Sequence, residues 1–517
     1  MEMRMNGNWS DLVFLSLPVA YVLSAILAPL NSPKTGWRLL NTSNLIILLV
    51  VVTLPFLPQT ESGFFADEPM QITVLGLVSF IGWIVTRFSA NYLSGEPGEQ
   101  RLQRWLQLTL GSVSVVVTSN HLGVLIAAWI GISLSLHQLL MFYPERKRAV
   151  LAAHKKFLFA RLAEACLIGA ATLLYLQHGT LYINDILAAY QGSSIILSPS
   201  EQIAALLIAS AAMVKCAQFP MHGWLIQVVE CPTPVSALLH AGVINLGGFL
   251  ILLMAPLMLH AQLANWLLLI VAGATCVAAA LITMTRVSVK VLLAWSTVAQ
   301  MGLMLVECAL GQYGLALLHL VAHSCYKAYA FLSAGGDVEV FLRKQLAPAR
   351  LPTPSTLPLL FALAVVVIGV LYWTDIIAND ASLWLLLALF PIALLSERSS
   401  LRHSSSLLLS GGLGVLLIAV YLLQKTLFIH LAPDGALPDA AATIWCAMLF
   451  SLLLTAYWIL QQRGESNLGR RLYRNLYAGF YLDEWATRAT LALWPAKLPQ
   501  RGGPQQTAIQ TARENQS

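Results

Sequence analysis

The sequence predicts an all-α polytopic membrane protein of about 13 to 15 transmembrane helices, at least one of them broken. Three observations carry this. Hydrophobic residues make up 58% of the 517-residue chain and charged residues only 10%, against roughly 25% charged in a soluble domain. The apolar residues gather in runs near the roughly 20 residues that a bilayer crossing needs. Lysine and arginine are sorted so that nearly all follow alternate runs.

In order, the runs lie near 11–30, 39–58, 69–92, 104–119, 122–142, 157–177, 202–229, 234–257, 262–284, 288–309, 312–335, 356–373, 382–396, 405–424 and 439–461. The first lacks a small-residue cleavage site, so no cleavable signal peptide is expected. One helical bundle over 1–464 suits these runs better than several domains. Residues 465–498 mix Arg, Tyr and Trp with aliphatics, which reads as an interfacial amphipathic segment and partner surface; simple anchoring at the membrane surface is the plainer alternative. Residues 499–517 are polar and Gln-rich and read as a disordered tail. The 7 cysteines form no CxxC pair, so neither a disulfide framework nor a cysteine zinc site is indicated.

Of the 30 Lys and Arg, 26 fall on one side. They follow the odd-numbered runs, as Arg146, Lys147, Arg148, Lys155 and Lys156 do, or lie beyond Leu460. Arg4 and Lys425 fall on the other side, which carries the acidic stretch Glu61–Glu68. By the positive-inside rule the N-terminus faces outside and the C-terminus the cytoplasm. The net charge of +6 is thus a topology signal, not a nucleic-acid footprint. The two remaining cations, Lys215 and Lys327, sit inside apolar stretches. A lysine at membrane depth is costly and seldom kept there without a use; snorkelling of the ammonium to the lipid surface is the plain alternative.

Lys215 adjoins a break. Phe219-Pro220 follows it by a few residues, then Pro232 and Pro234. Proline removes a hydrogen bond and clashes with the preceding turn, so the helix should break at Gln218–Met221, resume to about Glu230, and start anew at Pro234. Irregular backbone at membrane depth is tolerated where protein buries it or where it lines a wet cavity, and interrupted helices point to ion pathways. A simple proline kink is the alternative.

His319, His323 and Lys327 recur at i, i+4 and i+8 and share one helical face over about 12 Å. Imidazole exchanges protons near neutral pH, so the set reads as a proton relay; a packed, hydrogen-bonded set or a His-x3-His zinc pair are the alternatives. His240 could carry the line onward from the break. Glu164 reads either as a local partner of Arg161 or as a carboxylate acting on Lys215. Glu307, near a run end, reads as a solvated charge. No P-loop, dinucleotide fingerprint or Ser-His-Asp set is legible.

The stretches KCAQFPMHGWLIQVVECPTPVSALLHAG and KVLLAWSTVAQMGLML…HLVAHSCYKAYAFLSAG resemble the proton-conducting antiporter-like subunits of respiratory complex I and of multisubunit cation/proton antiporters. The resemblance covers roughly 65–335 and implies an antiporter-like core over about 65–400, with two inverted five-helix repeats, each with a broken helix. It implies that Lys215 is the central proton-carrying lysine and that His240, His319, His323 and Lys327 lie on the connecting hydrophilic axis; Glu164 falls at an acidic position of that family. Two features depart from it. Trp129-Ile130-Gly131 stands where the family has Trp-Glu-Gly, and Tyr372-Trp373-Thr374-Asp375 stands where the second broken helix carries Phe-Ser-Lys-acidic.

The runs SANYLSGEPGEQRLQRWLQLT, AWIGISLSLHQLLMFYPERKRAVLAAHKKFLFARLAE and LYAGFYLDEWATR are similar to a narrower group, the DabB family of membrane subunits of inorganic-carbon accumulation systems. That resemblance implies the bacterial cytoplasmic (inner) membrane and a DabA-like zinc protein related to β-carbonic anhydrases as partner, with the zinc in the partner and no cofactor in this chain. The function read from the sequence is therefore a cation-conducting subunit, with the proton expected and sodium the alternative, that energises accumulation of CO2 or bicarbonate. On this reading the chain is a transporter subunit and not an enzyme, meets the lipid bilayer and binds no nucleic acid. A proton-translocating subunit of an antiporter or of complex I, and a non-conducting scaffold for a soluble enzyme, are the alternatives.

Overall fold

A computed structural model describes residues 9–56, 63–66, 68–192, 195–336, 423–424, 426–435 and 439–494. Over these, helices α1 (Trp9–Leu27), α2 (Pro33–Thr53), α3 (Pro69–Tyr92), α4 (Glu99–Thr118), α5 (Leu122–Leu140) and α6 (Lys147–His178) lead through a short α7 (Ile183–Ala188) to the interrupted stretch. That stretch comprises α8 (Pro199–Lys215), α9 (Gly223–Gln227), α10 (Thr233–Leu238), a π turn at Leu239–Val243, α11 (Leu246–Leu253) and α12 (Ala255–His260). Then come α13 (Gln262–Thr283), α14 (Val289–Ala309), α15 (Tyr313–Ser333), α16 (Ala440–Gln462), α17 (Asn467–Tyr477) and α18 (Glu484–Leu493). Ten helical stretches among the described residues are long and apolar enough to cross a membrane. The chain is a multi-pass membrane protein. The runs expected at 356–373 and 382–396, that at 405–424 but for its last two residues, the Tyr372–Asp375 stretch and the tail at 499–517 lie outside the described residues.

The helix faces follow from residue spacing. On α1, Phe14, Leu17, Tyr21 and Ala25 are buried, while Leu12, Leu15, Val19, Leu23 and Ile26 form an exposed apolar stripe. In water such a stripe would be a liability; toward lipid tails it is the fitting surface. Helix starts are cued locally. Ser198 accepts the Glu201 N–H while the Glu201 carboxylate takes the Ser198 N–H at 2.7 Å, a reciprocal cap that fixes where α8 begins.

Loops sort to two ends of the bundle. At one end Ala66 N–H donates to Thr118 O, Asn120 N–H to Phe64 O and Ile183 N–H to Asn120 O, joining the loops before α3, between α4 and α5, and before α7. At the other, Gln100 donates to Asn31 O, Gln103 to Pro33 O and Arg101 to the Gln138 side chain. This second, arginine-rich end also carries α17 and α18, for Arg286 donates to the carbonyls of Leu476 and Tyr477, each at 3.0 Å.

Candidate functional site

α8 stops at Lys215, three residues before the expected break, and α9 starts at Gly223. Ala217 takes a positive φ of 53°, which turns the chain out of the helix and is held by full burial of its side chain. The freed backbone groups find protein partners. Phe219 N–H donates to Thr275 Oγ1 at 3.1 Å, and the Gln218 amide donates to Cys216 O at 2.7 Å. Phe219 and Pro220 thus form the break, while Pro232 and Pro234 flank the start of α10. Interrupted backbone inside a bundle requires this internal satisfaction.

The Lys215 ammonium lies 4.6 Å from the centre of the Trp129 ring. It borders a cavity of about 20 Å³, shared with Ser133, Lys156 and Trp224, which is room for one water. Lys156 Nζ donates to Ser133 O at 2.8 Å, and Arg161 donates to both Ser133 Oγ and Glu164 Oε1, the latter at 2.7 Å. Glu164 pairs with Arg161, its local partner, and through the shared Ser133 lies on the same side of the bundle as Lys156.

A second cluster surrounds the π turn. His240 is fully buried, bonds Thr297 Oγ1 through Nδ1 at 3.1 Å and stacks on Phe331 at 4.4 Å. Lys327, also fully buried, donates to Leu293 O at 3.1 Å, and its charge acts on His240 and His323. His319 lies 6.0 Å from His323, ring to ring, and its Nδ1 is 3.0 Å from each carboxylate oxygen of Glu307. The Nε2 atoms of His240, His319 and His323 are buried without a hydrogen-bond partner among the described residues. His240, His319, His323 and Lys327 thus come together as one cluster. Lys215 and Glu164 belong to the other, and no hydrogen bond joins the two among the described residues. Between them pack Cys216, Val243, Ile244 and Gly247.

Two expectations are corrected. Glu307 is not a solvated charge: it is 3% exposed, because the end of α14 packs against α15 and the carboxylate meets His319. Lys155 and Lys156 are not loop cations. α6 begins ten residues before the apolar run at 157 and is 32 residues long, about 48 Å, so its first turns extend past a hydrocarbon core of about 30 Å. Protein covers them there. Lys155 is 0% exposed and pairs with both oxygens of Asp483, at 2.9 Å each. The missed residues left faint signals. Glu307 is flanked by apolar residues in MLVECAL, and the Ala-rich stretch before Lys155 suits close helix contact. Asp483 left none.

The segment that supplies Asp483 folds against the bundle. Trp494 stacks on His154 at 3.9 Å, and α18 packs on α6 and α17 on α13. Arg286 closes the end of α17, where a cation suits the helix dipole. Burial pulls its guanidinium below the ordinary range, and Tyr477 and Tyr473 oppose that shift.

The model of the NADH:quinone oxidoreductase/Mrp antiporter transmembrane family matches residues 119–339, the stretch that holds both lysine clusters. A protein of Hydrogenovibrio crunogenus named "Probable inorganic carbon transporter subunit DabB" is 47% identical, over 98% of this chain and 99% of its own. The chain belongs to the DabB family. A second family member, DabB2 of Halothiobacillus neapolitanus, is 37% identical over 83% of this chain and 80% of its own. The fold is similar to that of a chain in the structure of the Mrp complex from a Dietzia species, with a TM-score of 0.58 at 20% identity, covering 98% of this chain and 59% of that one. The likeness to the Mrp chain is one of fold.

Proposed function

We propose that this DabB-family chain conducts a cation, the proton, across the bacterial inner membrane, with its N-terminus outside and its C-terminus cytoplasmic. The flux energises accumulation of inorganic carbon by a soluble partner. The observation that carries the reading is Lys215: an ammonium at the end of a broken helix, on a water-sized cavity that it shares with Lys156. A lysine at the centre of a membrane span costs about 2.5–3.5 kcal/mol even on the mildest scales, and a stack of apolar residues would fill this site more stably. Lys215 would take a proton from the cytoplasmic side. His240, Lys327, His323 and His319 would pass the charge from the π turn along α15, and Glu307 would receive it near the outer end of α14. The partner would be a DabA-like protein, with the zinc chemistry of CO2 hydration or bicarbonate capture residing there.

The test is proton uptake and inorganic-carbon accumulation by membranes holding the complex. Lys215→Ala should abolish both while the chain still inserts and still co-purifies with its partner. Intact accumulation in that variant would leave only a scaffold role.

A further inference from the structure

Helix α16 is 23 residues long, about 35 Å, a little more than a hydrocarbon core of about 30 Å. Ile444, Met448 and Leu452 recur along it as an exposed apolar stripe, the surface that a span turns to lipid tails. The turn at 463–466 therefore stands at headgroup depth, and α17 begins there, at Asn467. Exposed aromatics mark the same level. Arg463 lies 5.3 Å over the ring of Trp458 near the end of α16, and Tyr473 stacks on Tyr477 in α17. Tryptophan and tyrosine gather where tails give way to headgroups.

The same turn builds a groove. Ser466 caps α17 on the Gly469 N–H, and Gly469 lets the chain lie close against the turn: a Cβ there would come within 2.2 Å of Arg463 O. Leu476 is fully buried and fixes the far end of α17. Arg470, Arg471 and Arg474 fall on the opposite face, within an arc of about 100°. With Asn467 they line a groove of about 630 Å³ against Leu460 and Gly464. Three guanidinium groups on one groove repel one another until an anion sits among them. Among the described residues none of the three pairs with a carboxylate. Arg470 donates through Nε to a backbone carbonyl, Glu465 O, at 2.8 Å, and the Arg471 and Arg474 side chains have no hydrogen bond or ion pair. Arg101, Arg286 and Arg488, at the same end, each have an oxygen partner.

We propose that this groove binds the phosphate of an anionic phospholipid, so that a lipid headgroup joins α17 to the end of α16. Arg471 and Arg474 present planar forks that match phosphate oxygens in pairs, Arg470 adds its charge, and Leu460 offers an apolar floor to the glycerol. Headgroup depth favours a lipid phosphate over a free oxyanion. It also favours lipid over the acidic surface of a soluble protein, whose side chains would have to enter the headgroup layer. The site does not depend on cation conduction through Lys215.

The test counts phosphatidylglycerol retained per chain, by native mass spectrometry of the complete complex released from nanodiscs of phosphatidylcholine doped with phosphatidylglycerol. The unmodified chain should keep phosphatidylglycerol in preference to phosphatidylcholine. Arg471→Gln with Arg474→Gln should lower the apparent affinity at least about tenfold, since hydrogen bonds to charged groups are the strong ones. Arg38→Gln with Arg104→Gln removes the same charge from exposed positions on α2 and α4 at the same end and should leave retention unchanged. Asn467→Glu keeps all three arginines and suits the first turn of α17, yet sets a carboxylate three and four residues before Arg470 and Arg471. It should release the lipid with the helix intact, and retention there overturns the proposal. Equal loss from the two double variants means general surface attraction and overturns it. Displacement of the lipid by inorganic phosphate, but not by chloride at equal ionic strength, means a free-oxyanion site and overturns it. Retained lipid with a lost soluble partner in Arg471→Gln with Arg474→Gln makes the groove a protein docking face, which overturns it as well.

Discussion

Around Lys215 a buried charge is held among other charges; around Lys327 no carboxylate forms a hydrogen bond or ion pair with the ammonium among the described residues. The first ammonium shares a small cavity with Lys156, lies over Trp129 and feels Glu164, which is itself tied to Arg161. The second has one carbonyl, Leu293 O, and neighbouring histidines whose outer nitrogens are unpartnered among the described residues. The first site has several charged groups, Lys156, Arg161 and Glu164, around a cavity with room for one water. The second is buried, and the carboxylate that meets its helix is Glu307, held by His319 on α15. The contrast suggests a loading site and a transfer line, rather than two copies of one device.

The sharpest way to break the comparison is Glu164→Ala. It leaves Lys156, Arg161 and Lys215 facing one another without a carboxylate, and breaking a buried pair costs about 3–5 kcal/mol. Arg161 is 37% exposed on its side chain, so water screens part of this and the lower end is expected. Thermal unfolding of the purified complex reads the loss, and proton flux should fall with it. Glu307→Ala comes next. It strips His319 Nδ1 of its partner, for about 1–3 kcal/mol, and should slow flux while leaving labelling of the Lys215 cavity by water-soluble reagents unchanged. Glu307→Gln, which keeps a hydrogen-bonding oxygen, should cost less in stability than the alanine variant.

Gly247→Ala tests the wall between the clusters. A Cβ there would meet Cys216 Sγ at 2.5 Å and Ala212 O at 2.7 Å. Helix α11 would have to move off α8, at about 1–3 kcal/mol, and flux should drop with both clusters chemically intact. The smallest effect belongs to Thr297→Val. It removes the bond that orients His240, for about 1 kcal/mol of stability, and should slow transfer from the first cluster to the second. If Thr297→Val and Gly247→Ala conduct normally while Glu164→Ala does not, the two clusters work independently and the transfer line is wrong.

Much of this site was legible in the chain. Lys215, the break at Phe219-Pro220, the restart at Pro234 and the i, i+4, i+8 line of His319, His323 and Lys327 all declare themselves by chemistry that apolar helices do not tolerate without cause. The π turn at Leu239–Val243 did not, because no proline or polar run marks a one-residue insertion in a helix. Glu307 was misplaced because a run end looks wet in sequence even where a neighbouring helix, here α15, covers it.

What the sequence determined by itself is what hydrophobic free energy and backbone chemistry fix locally: the membrane spans, their alternation of charge, the helix break and the family. The tertiary structure decided which charges are buried and with whom. Lys155 and Lys156 read as surface cations until α18 covers one with Asp483 and α5 covers the other with Ser133. The physical reason is that the cost of a charge depends on the solvent and counter-charges around it. Those are supplied by segments hundreds of residues away, which local spacing does not encode.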